Sequence, residues 1–319
     1  MSYAKIADVL QAENNTPVVV RCMIAGKQRL PKKNSGEYLR LDLQDNTGKI
    51  IMPVWSDIRR IDNFHQVGDI ILVHGKRTEF NDIPQITLDH IETVHEDLPM
   101  DMFIPTYYIS EAIYDFFDSV VKKIKDTRYH QLLEQIIGFK TSPTERFTIT
   151  DMSKWEAFTA APAGVNHHGN KIGGLFLHTV GVLKALENII DNYVENPFFL
   201  SASKEHLDTD MLRFLGILHD IDKTSEYKWD MEITRNEDLC VQHDVLFIRT
   251  LTEANLLCGK PFSLEEMSKM FAIILVHHGP YAKYQANEKD KTFLEATLLH
   301  CADMIDSQII GVIESNPSS

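Results

Sequence analysis

The chain is poor in most of the features that announce a function. Its four cysteines, Cys22, Cys240, Cys258 and Cys301, form no CxxC pair. That excludes a zinc-finger framework or a disulfide scaffold and reads as reduced thiols in a cytoplasmic protein. No apolar run approaches the roughly 20 residues that span a bilayer. The start MSYAKIADVLQAENN lacks the basic segment and apolar centre of a signal peptide, so no membrane partner is expected. GxSxG, GxxxxGK[ST] and HExxH are all missing, which removes a serine hydrolase, a P-loop NTPase and a zincin protease. There is no internal repeat and no low-complexity stretch. Basic residues are the minority: Lys and Arg number 32 against 46 Asp and Glu, for a net charge of −14. Strong nucleic-acid binding over the whole surface is not expected of such a chain, because phosphate affinity comes from cations.

What is present is ordinary globular material. The 319 residues are 44% hydrophobic and 24% charged, a length that suggests two domains, each able to bury a core. Charge is uneven along the chain. Arg21 to Lys49 holds seven basic residues and three acidic ones, a strip that can attract a strand at modest affinity.

Residues 1–95 read as a β domain. PVVVRCMIA is a β-branched run, and EYLRLDLQD alternates with Leu39, Leu41 and Leu43 on one face. A turn at Asp45-Asn46-Thr47-Gly48 leads into KIIMPVW, a short helix-like SDIRRIDNF, then the strands DIILVHGKRTEF and IPQITLDHIETV. This order predicts an OB-fold barrel. A linker is expected over 96–109, and the apolar period then becomes helical. Ser110 is the expected N-cap of a helix carrying Ile113, Phe116, Phe117, Val120, Val121 and Ile124, and Gly138 the stop of the next. Further helices are expected through GLFLHTVGVLKALENIIDNYV, DMLRFLGILHDI, VLFIRTLTEANLL, LEEMSKMFAIILVHH and FLEATLLHCADMIDSQIIGVI. The fold class is therefore two-domain: an all-β OB barrel followed over 110–319 by an all-α bundle.

Histidines and aspartates inside those apolar helices carry the chemistry. In ILHDIDK, Ile217 to Lys223, an adjacent His219 and Asp220 end an apolar run and Lys223 follows. A buried, unpaired Asp would cost several kcal/mol; a metal ion taking both side chains, with Lys223 facing an anion, removes that cost. His178 within its helix and Asp303 in LLHCADMID complete a set for one divalent ion, and His243 and His277, with His278 beside it, can supply a second. Imidazole and carboxylate together suit Mn, Fe, Co, Ni or Zn better than Ca or Mg. His300 reads as an ordinary helix histidine, Asp306 as a solvated or capping residue, and Asp244 as a surface residue.

The ordered set His178, His219-Asp220 and Asp303 resembles the HD-domain metal-dependent phosphohydrolases, and with the OB-fold in front the chain resembles the YhaM family of 3′→5′ exoribonucleases. The segments that carry the likeness are Phe158 to Leu183, GILHDIDKTSEY, LVHHG and EATLLHCADMIDS. The resemblance implies metal ligation by His178, His219, Asp220 and Asp303, a second ion at His243 and His277, and places near the substrate for His167, His168 and Lys223. It further implies two divalent ions, manganese first, single-stranded RNA or DNA as partner, nucleoside 5′-monophosphates as products, and a homo-oligomer. Asp220 counts among the catalytic residues, and His167 or His168 would contact the scissile phosphate or protonate the leaving oxygen; a loop pair that bonds the helix start at Gly173 is the equal alternative. On the barrel, Tyr38 and Trp55 are the stacking candidates, with Tyr38 preferred because barrel core is the alternative reading of Trp55. Lys32, Lys33 and Arg40 are the backbone contacts. Two departures stand out: Asp222 replaces the glycine of the HD-x-GK pattern, and GPYAKYQANEKDK follows His278 where a Gly/Pro-rich loop is expected. Two other readings stay open, a nucleotide or cyclic-nucleotide phosphohydrolase with a regulatory barrel, and a non-catalytic OB nucleic-acid-binding protein.

Overall fold

The structure is a computed structural model and describes residues 3–32, 35–96, 98–165, 169–194, 207–229, 232–282 and 294–315. The chain forms two compact units that divide in sequence between Thr106 and Tyr107.

In the first unit, β1 (Pro17–Pro31), β2 (Glu37–Asp45), β3 (Gly48–Val54), β4 (Ile70–Phe80) and β5 (Ile83–Thr93) close a barrel in the order β1-β2-β3-β5-β4. Closure comes from a parallel contact between Ile51 and Gln85. The expected alternation fills the interior: Val18, Val20, Cys22 and Ile24 from β1, Leu39, Leu41 and Leu43 from β2, and Ile50, Met52 and Val54 from β3 are buried. The bend of β4 sits at Gly75, where a Cβ would lie 2.3 Å from the Thr87 carbonyl oxygen. Asp45 explains the turn that follows it. One carboxylate oxygen accepts from the Thr47 amide at 2.8 Å, and the other accepts from the Ile6 amide at 2.9 Å, which starts α1 (Ile6–Gln11). The helix between β3 and β4 is α2 (Ile58–Phe64). Gln44 donates to the Phe103 carbonyl at 3.0 Å, and Phe103 and Ile104 are buried, so much of the 96–109 stretch packs as part of this unit.

The second unit is helical: α3 (Glu111–Val121), α4 (Thr127–Ile137), α5 (Met152–Ala160), α6 (Gly174–Ile189), α7 (Thr209–Leu218), α8 (Lys223–Glu226), α9 (His243–Leu257), α10 (Leu264–Val276) and α11 (Leu294–Ser315). Ser110 occupies the N-cap position of α3 without a side-chain bond, and Gly138 caps α4 in the left-handed conformation at φ 83°. Two short hairpins interrupt the helices, β6 (Phe139–Lys140) with β7 (Thr148–Ile149) and β8 (Tyr227–Trp229) with β9 (Ile233–Arg235). Helix α6 is central and packs against α3, α5, α7 and α11. Helix α7 is buried from Met211 to Leu218; its one cation, Arg213, donates to Glu187 of α6 at 2.6 Å. Phe117, Phe139, Phe158 and Phe176 form the aromatic heart of the core around Trp155. By length and composition alone α11 is long and apolar enough over Leu294–Ile313 to cross a membrane, although Glu295, Asp303 and Asp306 interrupt its apolar residues. One side of it packs on α6 and carries the carboxylates of Asp303 and Asp306 to His178.

Candidate metal centre

The centre is assembled at helix ends. His178 lies on α6, one helical turn beyond the Gly173-Gly174 start, where Gly173 takes φ 83°. Helix α7 stops at His219, so Asp220 falls in the turn that follows and can aim at the same point as His219. His243 is the first residue of α9, and His277 caps the C-terminus of α10. Asp303 comes from α11. Leu218, Ile221 and Ala302, beside His219, Asp220 and Asp303, are core, and the polar side chains are drawn in with them: His219 is 1%, Asp220 2% and His277 0% exposed.

The side chains fall into two groups, each with ligand atoms lying within 4.8 Å of one another: His178, His219 and Asp303, and Asp220, His243, His277 and His278. Asp220 joins them. Its Oδ2 lies 3.4 Å from both His178 Nε2 and His219 Nε2, and its Oδ1 lies 3.1 Å from His243 Nε2. His178 Nε2 is also 3.2 Å from Asp303 Oδ1.

Tautomers decide what this arrangement can do. His178 Nδ1 donates to Asp306 at 2.7 Å, His219 Nδ1 to the Gly216 carbonyl at 3.0 Å, His243 Nδ1 to Glu226 at 2.6 Å and His277 Nδ1 to the Ile274 carbonyl at 2.5 Å. These partners are acceptors only, so each Nδ1 holds the proton, and each neutral imidazole presents a bare Nε2. Two such nitrogens, of His178 and His219, face each other at 3.3 Å, and those of His243 and His278 approach at 3.3 Å. His277 Nε2 is fully buried without a hydrogen-bond partner among the described residues. Lone pairs and carboxylates crowded this closely repel one another unless cations or protons stand between them. The donor set therefore fits one or two divalent ions.

In the ion-free protein, protons serve instead. Burial opposes charge on His178, but bonds to Asp220, Asp303 and Asp306 outweigh it and hold its pKa well above the usual imidazole range. His243 is likewise opposed by burial and raised to about 9 by Asp220 and Glu226. His277, with burial and neighbouring His278 and His219 against it, is pushed well down and stays neutral. Burial would raise Asp220 and Asp303; Lys223 beside the first and His178 beside the second hold both well below the carboxylate range.

The predicted residues are accounted for as follows. His178, His219, Asp220, His243, His277, His278 and Asp303 come together. Lys223 reaches the centre, but its ammonium donates to Asp220 Oδ2 at 2.7 Å, so the anion it faces here is that carboxylate. His167, His168 and Lys33 lie outside the described residues. Asp306 is no solvated or capping residue: it is 9% exposed and bonded to His178. Its i+3 spacing from Asp303 was the available signal. Asp244 is not at the surface either, being 4% exposed with its carboxylate on the Val245 amide. His300 donates to the His277 carbonyl at 2.8 Å and so braces the backbone of a residue in the cluster. Asp222, the departure from the family pattern, turns to α9, accepting from Thr250 at 2.7 Å, and burial raises its pKa. Glu226 was missed altogether.

On the barrel, Trp55 is not core. It is 54% exposed, its ring stacks on Tyr38 at 4.6 Å and 22°, and Lys32 Nζ lies 5.6 Å over it. The basic strip is largely spent internally: Lys27 and Arg29 bind Asp62, and Arg40 binds Asp42 at 2.8 Å.

The class is thus an OB-fold barrel followed by a helical unit with a histidine–aspartate centre. A family model described as an OB-fold nucleic acid binding domain matches residues 18–94. Along nearly its whole length the chain is similar to proteins named 3′-5′ exoribonuclease YhaM. That of Halalkalibacterium halodurans is 23% identical over 90% of this chain and 82% of its own, and that of Listeria innocua 22% identical over 94% and 88%. A dihydroneopterin 2′,3′-cyclic phosphate phosphodiesterase of Methanocaldococcus jannaschii is 25% identical over 61% of this chain and 70% of its own.

Proposed function

We propose that this protein is a metal-dependent phosphodiesterase that shortens single-stranded RNA, or DNA, from the 3′ end to nucleoside 5′-monophosphates. The observation that carries the reading is Asp220, one oxygen of which addresses His178 and His219 Nε2 while the other addresses His243 Nε2, so that it touches both groups of side chains able to hold an ion. His178, His219 and Asp303 would hold one divalent ion, His243, His277 and His278 the other, with Asp220 between them and manganese as the first candidate. Ions so held supply Lewis acidity and lower the pKa of a nearby water. The chain's own contributions are distinct. Lys223 keeps Asp220 ionised and in place. His278, with a side chain 32% exposed, marks the solvent-facing side of the centre, where a phosphodiester can enter. Its neighbour His277 is closed off from water.

Tyr38 and Trp55 would receive bases by stacking, with Lys32 the nearest cation for the backbone. Because Arg29 and Arg40 are held by carboxylates, stacking outweighs phosphate contact, and recognition is tolerant of sequence. The same neutralisation, together with the similarity to a cyclic phosphate phosphodiesterase, favours hydrolysis of small cyclic nucleotides as the second reading.

The test is incubation with Mn²⁺ and a 5′-labelled single-stranded RNA, the matching DNA and a panel of nucleotides and cyclic nucleotides, alongside an Asp220→Ala variant. A ladder that shortens from the 3′ end, absent in the variant, is expected. Turnover of small nucleotides alone would replace the exonuclease reading with the second one. An Asp220→Ala protein as active as the parent would sink both.

A further inference from the structure

The four buried imidazoles are braced in two different ways. His219 and His277 donate to carbonyl oxygens three residues back in their own helices. His178 and His243 donate to carboxylates from other elements, Asp306 of α11 and Glu226 at the end of α8. One carboxylate-braced histidine falls in each of the two ligand groups. A carboxylate behind an imidazole fixes the ring and makes the far nitrogen a better donor to a cation, which a backbone carbonyl does more weakly.

Glu226 is built for this single task. It is 3% exposed, and one oxygen accepts both from His243 Nδ1 at 2.6 Å and from the His243 amide at 3.2 Å. Its other oxygen is held by Arg235 of β9, whose side chain is 58% exposed. The helix that ends at Glu226 has four residues and adds little core of its own. Asp306 has its own accommodation on α6: a Cβ at Gly181 would stand 1.8 Å from its Oδ1.

Resting on the two-ion reading above, we propose that Glu226 and Asp306 are positioning residues that set the affinities of the two ion positions separately. Glu226 governs the position bounded by His243, His277 and His278, and Asp306 the position bounded by His178, His219 and Asp303. Arg235 adjusts the first through Glu226. The separation is a demanding claim, because Asp220 belongs to both positions and would spread any general distortion to both.

Calorimetric titration of MnCl₂ into the ion-stripped full chain reads it directly. The parent is expected to take up two ions in two resolved events. Glu226→Ala should weaken one event by about 10- to 100-fold and leave the other within about twofold. Glu226→Gln, which keeps an acceptor for Nδ1, should recover part of the loss. Asp306→Asn should weaken the other event. If Glu226→Ala fails to fold by circular dichroism, Glu226→Gln and the surface change Arg235→Ala carry the test, with the same event weakened by a few-fold. Equal weakening of both events in every variant, or no change in folded variants, overturns the separate roles. A parent that takes up one ion or none removes the two-ion reading and the proposal with it.

Discussion

If the centre holds divalent cations, loading it must expel protons, and the structure sets how many. Each buried imidazole commits its Nδ1 proton to an acceptor, so it can bind a cation only through a deprotonated Nε2. At pH 7 the ion-free protein carries His243 as imidazolium, its pKa raised to about 9 by Asp220 and Glu226 against the opposing effect of burial. His178 is also protonated, while His277 is already neutral. Uptake at pH 7 should therefore release about two protons per chain, and apparent affinity should rise with pH until about 9, where the His243 contribution ends. The same groups shape stability. A folded pKa above the ordinary imidazole value of about 6.5 means that His243 stabilises the ion-free fold fully below about pH 6.5, and that this stability is lost as pH rises through about 9. The difference corresponds to on the order of 3 kcal/mol. Glu226, lowered to about 2 by His243 and Arg235 against its own burial, acts in the opposite sense: its contribution is present above about pH 4.5 and lost as pH falls through about 2. Titrating MnCl₂ at pH 7 in buffers of different ionisation enthalpy counts the released protons. Scanning calorimetry of ion-free parent and His243→Asn between pH 6.5 and 9.5 isolates the stability component. Zero proton release at pH 7, or parent and variant melting with the same pH slope, would refute the tautomer argument.

Two other changes probe separate parts of the molecule. Gly181→Ala should push Asp306 off His178, since the added Cβ would stand 1.8 Å from its carboxylate; a loss of about 1–3 kcal/mol is expected on thermal unfolding. Helix propensity alone would stabilise by about 1 kcal/mol, so a higher melting temperature counts against the packing account. Trp55→Ala should weaken single-strand binding by about 1–3 kcal/mol in fluorescence anisotropy while leaving Mn²⁺ uptake untouched, and unchanged strand affinity would remove the stacking platform.

The barrel was legible because its strands alternate strictly: Leu39, Leu41 and Leu43 point inward, and Asp45 and Thr47 spell the turn in their own hydrogen bonds. The histidines that cluster were legible as polar residues in apolar helices. The residues behind them were not. Glu226 and Asp306 look like any helix carboxylates until the partner on another element is seen. Helix α5 went unseen because it buries only Trp155 and Phe158 and has little amphipathic period. The basic strip misled for a similar reason: Asp62, which binds Lys27 and Arg29, lies more than thirty positions away. Trp55 looked like core because it continues an apolar strand, but β3 ends at Val54 and the ring turns outward onto Tyr38.

The placement of the clustered histidines and aspartates at the ends of α7, α9 and α10 and within α6 and α11 has a consequence for the life of the protein. A cation shared by these helices would bind the folded chain alone, because only folding brings segments so far apart in sequence to one point, and would draw the equilibrium toward the folded state. Free-metal concentration would then govern how much folded protein survives proteolysis as well as how fast it turns over. If the centre is so loaded, a cell starved of the ions would lose the molecule itself along with its activity.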